Sequence, residues 1–250
     1  MLFKTVYGPE LQCLFEFIAK FGPLEKDALY NNFLPMVNGQ PGNSTNLDDA
    51  IHFLLSSGVL RKNNTGKYQA INVEKDFKMN LLVNLRLLQT GKVESTDRLD
   101  PWYLGLIENA YIIPNKKVLF DLHQLFNALW LPAVLSEEKV NAWKRVLEFI
   151  GLGYRVFGGF YCIYSLQLVR DIVDSWEEAQ GPLQNFLEDC FSLYLPWQTK
   201  NGDIAGALWS PLEELERQGY ITLVAKQDSP SRAYGGQRRV KWLVKGGKEL

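Results

Sequence analysis

Residues 47–73 read LDDAIHFLLSSGVLRKNNTGKYQAINV and contain the pattern that decides the local fold. Leu47, Ile51 and Leu54 recur at the spacing of one helical face, and Gly58 stands where a glycine commonly ends a helix. The Asn-Asn-Thr-Gly sequence at 63–66 then separates two short runs with strand composition, as in a β-hairpin. The stretch therefore predicts a helix followed directly by a hairpin.

Two further helices are predicted before this stretch. Residues 9–22, PELQCLFEFIAKFG, carry apolar side chains at helical spacing, and Pro23 opens a second helical segment, PLEKDALYNNF, over 23–33. Residues 36–45 have the composition of a loop. We expect the first and third helices to bury a shared core of Leu14, Ile18, Ile51, Leu54 and Leu55. The order of three helices and a hairpin over residues 8–73 resembles the winged-helix fold, in which the hairpin is the wing.

The end of the chain repeats this order. Residues 181–195 form an amphipathic pattern, residues 201–209 a short second helix, and Ser210-Pro211 the start of a third helix that Gly219 ends. Two predicted strands, 220–226 and 238–244, enclose a long loop. This is a second winged-helix pattern with a longer wing.

The middle of the chain is mainly helical and contains an apolar hairpin near residues 152–164, after which Ser165 caps a further predicted helix. Helices that lead to a hairpin suggest a third, degenerate winged-helix unit. Phe157, Phe160, Tyr161 and Tyr164 make both faces of this hairpin apolar, so we expect it to be buried within the chain or by another subunit.

The predicted fold is thus mainly α with small β-hairpins, in the α+β class. Its parts are an N-terminal winged-helix domain at 1–74, a helical middle region at 75–180 and a C-terminal winged-helix domain at 181–250. Residues 91–100 have the composition of a linker, and residues 180–182 that of a boundary.

The composition excludes several kinds of function. The chain has 250 residues, 46% of them hydrophobic, and a net charge of −1. It lacks the common nucleotide-binding, hydrolase and zinc-protease motifs, and its two histidines and three scattered cysteines do not form a metal-binding pattern. We therefore expect no enzyme activity, cofactor, metal or small-molecule substrate. Without a signal-peptide pattern or a run of about 20 apolar residues, we expect a cytoplasmic protein outside the membrane.

Positive charge is concentrated in the C-terminal wing. Between residues 226 and 248, seven cations accompany a single acid, Asp228. Such a ribbon can follow a phosphate backbone, with the tip placed to enter a groove or stack on a base. The predicted nucleic-acid site, for which duplex DNA is the expected ligand, comprises Lys226, Arg232, Tyr234, Arg238, Arg239, Lys241 and Lys245; Lys248 completes the group of cations.

The predicted third helices weigh against the familiar mode in which a helix reads the major groove. Residues 47–58 contain no lysine or arginine, and residues 211–219 carry three glutamates against Arg217 alone. Three hypotheses therefore stay open for the chain and its wing. The chain is a nucleic-acid-binding regulator or accessory subunit, or a winged-helix adaptor that binds protein partners or self-associates, or the wing is only a charged, solvated edge strand.

Overall fold

The computed structural model describes residues 1–37, 40–129, 131–227, 230–236 and 238–246, without the side chains of residues 37, 40 and 41. The chain forms two compact units. The first contains Met1–Tyr103 and His123–Ile150, and the second contains Leu104–Leu122 and Gly151–Leu250. Both combine helices with small antiparallel sheets, so the α+β class is confirmed. The units do not follow the predicted three-part division, which stays a prediction about the sequence.

The helices and strands of the first half of the chain are α1 (Gly8–Phe21), α2 (Lys26–Phe33), β1 (Met36–Val37), β2 (Gln40–Pro41), α3 (Thr45–Ser56), β3 (Leu60–Lys62), β4 (Tyr68–Ala70), α4 (Phe77–Gln89) and α5 (Trp102–Ile107), which a π-helical turn (Glu108–Ile112) prolongs. Those of the second half are β5 (Val118–Phe120), α6 (Leu122–Ala128), α7 (Glu137–Ile150), β6 (Gly153–Val156), β7 (Gly159–Cys162), α8 (Leu166–Ser175), β8 (Gln180–Pro182), α9 (Leu183–Asn185) with its π and 3-10 continuation to Leu193, α10 (Gly206–Arg217), β9 (Ile221–Val224) and β10 (Trp242–Lys245).

Helices α1, α3, α4 and α7 supply the core of the first unit. Leu14, Ile18, Ile51 and Leu54 are buried, as predicted, whereas Leu55 is only partly buried and Phe53 is fully buried. The ring of Phe53 packs edge-on against Tyr103. The difference arises because Phe53, not Leu55, lies on the inner face of α3.

The core of the second unit is rich in aromatic side chains whose polar groups find partners. Tyr111 donates a hydrogen bond from its hydroxyl to the Phe160 carbonyl at 3.3 Å, and the Tyr164 hydroxyl donates to the Pro196 carbonyl. Phe160 and Tyr164 are buried, and the ring of Tyr164 packs against Phe191. Because both hydroxyls are hydrogen-bonded, burial of the two rings removes apolar surface from water without leaving a buried polar group unpaired.

Among the described residues, three successive segments share one order, which is helix, strand, helix, helix, strand, strand; the first segment adds the strand pair β1–β2 between its second and third helices. Residues 102–162 form the sheet β5-β7-β6, and residues 166–245 form the sheet β8-β10-β9. Over residues 8–70 the first strand is reduced to Leu24, which exchanges two backbone hydrogen bonds of 3.0 and 2.8 Å with Tyr68 of β4. In every segment the last strand lies between the other two. Each hairpin predicted from the sequence therefore gains a third strand, which comes before the second and third helices of its segment.

Residues 180–182, predicted as a boundary, form β8 and pair with β10. Two local predictions are corrected by the hydrogen-bonding pattern. Residues 36–41, predicted as loop, form the short strand pair β1–β2. Ser210 does not start a helix, because α10 runs through it without interruption.

Helix α10 continues through Pro211 because another backbone group replaces the missing hydrogen bond. A proline in a helix interior has no N–H, which leaves the carbonyl four residues earlier without its donor. Here that carbonyl belongs to Ala207, and the Tyr164 N–H donates to it at 3.0 Å. One continuous helix therefore forms where the sequence predicted two.

Shortening Leu54 to alanine tests the helical face assigned to α3. Leu54 is fully buried, so Leu54→Ala is expected to lower the free energy of unfolding by about 2–5 kcal/mol. The partly buried Leu55 one residue later provides the matched control, and Leu55→Ala is expected to cost clearly less. Chemical denaturation measures both. Equal losses, or a larger loss for Leu55→Ala, would show that the face is misassigned.

Candidate functional site

The C-terminal wing is the segment between β9 and β10, residues 225–241, and it folds back on its own unit. Tyr234 and Val240 exchange two backbone hydrogen bonds of 2.9 Å. The Tyr234 ring is 1% exposed and packs edge-on against the ring of Trp197, with 5.7 Å between the ring centres. The expectation that Tyr234 stands at an exposed tip is therefore wrong. Packing of Tyr234 against another aromatic ring is favourable, and this contact would be absent if Tyr234 were exposed at the tip.

Two of the predicted arginines form ion pairs within the second unit. Arg238 binds the Glu216 carboxylate with both terminal nitrogens, and it also donates to the Leu223 carbonyl at 2.8 Å. Arg239 donates to the Asp203 carboxylate at 3.2 Å and to the carbonyl of Ala233. These acids come from α10 and from the loop before it. The two ion pairs tie the wing to that helix and loop.

Asp203 is the centre of this attachment. Its carboxylate accepts the N–H groups of Gly235 at 2.9 Å and Gly236 at 3.3 Å, in addition to the guanidinium of Arg239. Burial alone would raise the pKa of Asp203, but these hydrogen bonds and the one from the Ile204 N–H outweigh it, and the pKa lies below its ordinary value. Asp203 therefore stays ionised and holds the base of the wing.

The other predicted cations also have contacts inside the second unit. The Lys226 ammonium lies 3.4 Å from the centre of the Trp242 ring, and Arg232 donates to the Asn201 carbonyl at 3.3 Å. The Lys245 ammonium donates to two carbonyls, those of Asp174 and Trp176. Lys241 is partly buried and pairs through its backbone with Val224.

The structure thus brings the predicted site residues into one region, but as a wing attached to its own module. Lys248 and Asp228 lie outside the described residues. Within the described part, the cations of the wing are held by carboxylates, carbonyls and an aromatic ring, and not presented as a free ribbon.

A smaller cationic surface at the first hairpin was not predicted from the sequence. Arg61 and Lys62 of β3 are exposed beside the turn at 63–66. Arg61 hydrogen-bonds the side-chain oxygen of Gln69, and the Lys62 ammonium lies 5.3 Å from the centre of the Tyr68 ring. Both of these partners are neutral. The sequence RKNNTGK contains cations that could have predicted this surface. The larger group of cations in the C-terminal wing was the one assigned as a site.

The sheet β5-β7-β6 exposes a surface that we call the apolar face. Val118, Tyr161 and Tyr154 form one row across the three strands, and Phe120, Gly159 and Val156 form the next. We include with it Phe157, which lies in the turn at the tip of the β6–β7 hairpin. The exposed fractions are 39% for Val118, 58% for Phe120, 53% for Tyr154, 38% for Val156 and 102% for Phe157.

The apolar face corrects the expectation that the middle hairpin is buried within the chain on both sides. Phe160 and Tyr164 are buried, as expected, whereas Tyr161 is only partly covered and Phe157 is fully exposed. Alternation along β7 accounts for this result: with Phe160 inside, its neighbour Tyr161 must lie on the opposite face. Burial by another subunit stays a prediction.

The described residues contain no group of three or more histidine, cysteine or acidic side chains placed to hold a metal ion. None of the helices in the described ranges has the length and apolar character needed to cross a membrane. Comparison with protein-family models, curated proteins and solved structures finds no match to this chain.

Replacing Glu216 tests whether its ion pair stabilises the wing. Burial would raise the pKa of Glu216, but the hydrogen bonds from Arg238 and the Leu223 N–H outweigh it, and the pKa falls below its ordinary 4.5. The ionised Glu216 therefore stabilises the folded state fully above about pH 4.5. This stabilisation is lost as the pH falls through the lower pKa that Glu216 has in the folded state. Glu216→Gln is expected to cost about 1 kcal/mol at pH 7.

The measurement is urea denaturation of both proteins between pH 7 and pH 3. The difference between wild type and Glu216→Gln should shrink as the pH falls below 4.5. The exposed Glu178 elsewhere in the second unit is the matched control, and Glu178→Gln should change little. A difference that persists undiminished in acid would contradict the assignment of the effect to the ionised carboxylate.

Proposed function

We propose that this chain is a non-enzymatic docking protein, built from tandem winged-helix modules, that binds protein through the apolar face. The observation that carries the proposal is the exposure of four apolar side chains on one side of a single sheet, with the fully exposed Phe157 at the tip of its hairpin. A contiguous apolar patch in contact with water is unfavourable, and such patches commonly mark interaction sites.

The other sheet with the same strand arrangement supports this assignment by contrast. In β8-β10-β9, the equivalent positions form the rows Gln180, Val244, Thr222 and Pro182, Trp242, Val224. The apolar members of these rows are buried or partly covered, and the Lys226 ammonium lies over the Trp242 ring. The exposure of apolar side chains on the middle sheet is therefore not a consequence of the shared architecture.

The winged-helix part of the proposal is supported by connectivity. Each of the three segments has three helices followed by a hairpin, and the last strand of each pairs with a strand that precedes the second helix. The acidic character of α10 fits protein docking better than entry into the major groove. Its Glu216 is paired with Arg238, and its exposed Glu213 would face phosphates at an electrostatic cost.

Site-specific photo-crosslinking tests the docking function. A photoreactive amino acid at Phe157 is expected to capture a discrete protein in native lysate, with or without nuclease, and Phe120→Ser combined with Tyr154→Ser should abolish the capture. Phe21, which is 57% exposed in the first unit, supplies the control position for both the crosslinker and the serine substitution. Capture that is equal at positions 157 and 21 would contradict the proposal.

Nucleic-acid binding through the C-terminal wing is the second candidate, and one observation favours it. Although they are ion-paired, the side chains of Arg238 and Arg239 remain 53% and 51% exposed. A phosphate could therefore approach these guanidinium groups and replace the carboxylates. The regulator or accessory-subunit role belongs to this candidate.

Duplex binding measured by fluorescence anisotropy at several salt concentrations tests the second candidate. Replacing Arg232, Arg238, Arg239 and Lys241 with alanine should remove most of the affinity and reduce the salt slope by roughly one unit per lost phosphate contact. The control is Asp203→Asn with Glu216→Gln, which removes both ion pairs but keeps the cations, and it should bind at least as tightly as wild type. An absence of wild-type binding at low salt would eliminate this candidate.

A further inference from the structure

We propose that the occupant of the apolar face is a second copy of this chain, packed face to face in a two-fold arrangement with the two β5 strands antiparallel. This inference rests on the proposed docking function, because it names the partner of the same surface. In such an arrangement each residue of the face meets the face of the other copy, so one exposed surface covers another.

The face is suited to a copy of itself because it carries no charge. Its six paired positions hold valine, phenylalanine, tyrosine and glycine, and Arg155 of β6 lies at an alternate position, on the opposite side of the sheet. Two copies would therefore remove apolar surface from water without stripping water from an ionised group. Burying an unpaired charge is the usual penalty of such a contact, and here it is avoided.

The charges at the two ends of β5 select the antiparallel orientation. Lys116 and Lys117 precede the strand, and Asp121 follows it; all three are exposed. The Asp121 N–H donates to the Gly158 carbonyl at 3.2 Å, so this acid lies at the end of the sheet that carries the β6–β7 tip. With the strands antiparallel, the basic end of each β5 strand lies over the acidic end of the other, and both pairs of ends attract. Parallel strands would place like charges together at both ends.

The size of the face is sufficient for a weak dimer. Taking a whole aromatic side chain as ~200 Å², the exposed parts of Phe120, Tyr154 and Phe157 amount to roughly 400 Å², and the valines bring the face to about 500 Å². Two copies would bury about 1,000 Å², the lower limit for a specific interface. The expected complex is a dimer that dissociates on dilution.

Sedimentation velocity over about 1–100 μM, a range suited to micromolar affinity, tests the inference with a reciprocal pair of charge reversals. Lys116→Glu places acid against acid in the homodimer, and Asp121→Lys places lysine against lysine. Each variant alone should form a weaker dimer, which dissociates at a higher protein concentration than the wild-type dimer does. A mixture of the two should form a heterodimer, because both contacts become attractive again. Glu178→Lys, a charge reversal at an exposed position elsewhere in the second unit, should dimerise as wild type does.

Circular dichroism confirms that each variant is folded, and Phe157→Ser provides a second test that leaves the charges unchanged. A monomer at every concentration would overturn the inference. So would a dimer that is insensitive to Phe157→Ser and to the charge reversals. The crosslinker at Phe157 separates the two proposals: capture of a different protein would leave the docking function standing, and capture of nothing would remove both.

Discussion

Each of the three repeated segments depends on its last strand, which forms hydrogen bonds along both edges. A hairpin alone is marginal in water, and a third strand gives it a surface that can bury apolar side chains. The third strand precedes two helices in the chain, so its pairing joins residues that lie far apart in the sequence. Because strand side chains alternate, this pairing also decides which residues face outward. Burial of Phe160 in the middle strand of its sheet places Tyr161 and its neighbours on the exposed side.

The apolar face and the C-terminal wing differ in whether their side chains have partners within the second unit. In the wing, charges that would favour an external anion are attached to internal acids, and Asp203 links Arg239 to two backbone N–H groups. In the apolar face, side chains that would favour a core are left in water. The wing therefore has internal partners for its charges, whereas the apolar face has no comparable cover among the described residues. This asymmetry is why we propose protein docking ahead of binding to phosphates.

Cation patterns in a sequence are ambiguous for a physical reason. A guanidinium group binds a carboxylate and a phosphate with the same planar geometry, so the spacing of arginines does not distinguish an internal partner from an external one. Arg238 is separated from Glu216 by 22 residues and Arg239 from Asp203 by 36. The charges of the wing are therefore visible in the local sequence, whereas the acids that bind them are not. Arg61 and Lys62 form a smaller group of cations, which the local sequence does not distinguish from an ordinary charged hairpin.

The sequence by itself determined the positions of most helices and the three hairpins, because periodicity and turn residues act over a few neighbours. It also determined that the inner faces of α1 and α3 contain Leu14, Ile18, Ile51 and Leu54. Only the tertiary structure decided that α10 passes through Pro211, since the compensating N–H comes from Tyr164, far away in the chain. Likewise, only the tertiary structure placed Tyr234 against Trp197 and left Phe157 exposed. Those outcomes depend on which distant groups meet, and local periodicity carries no information about that.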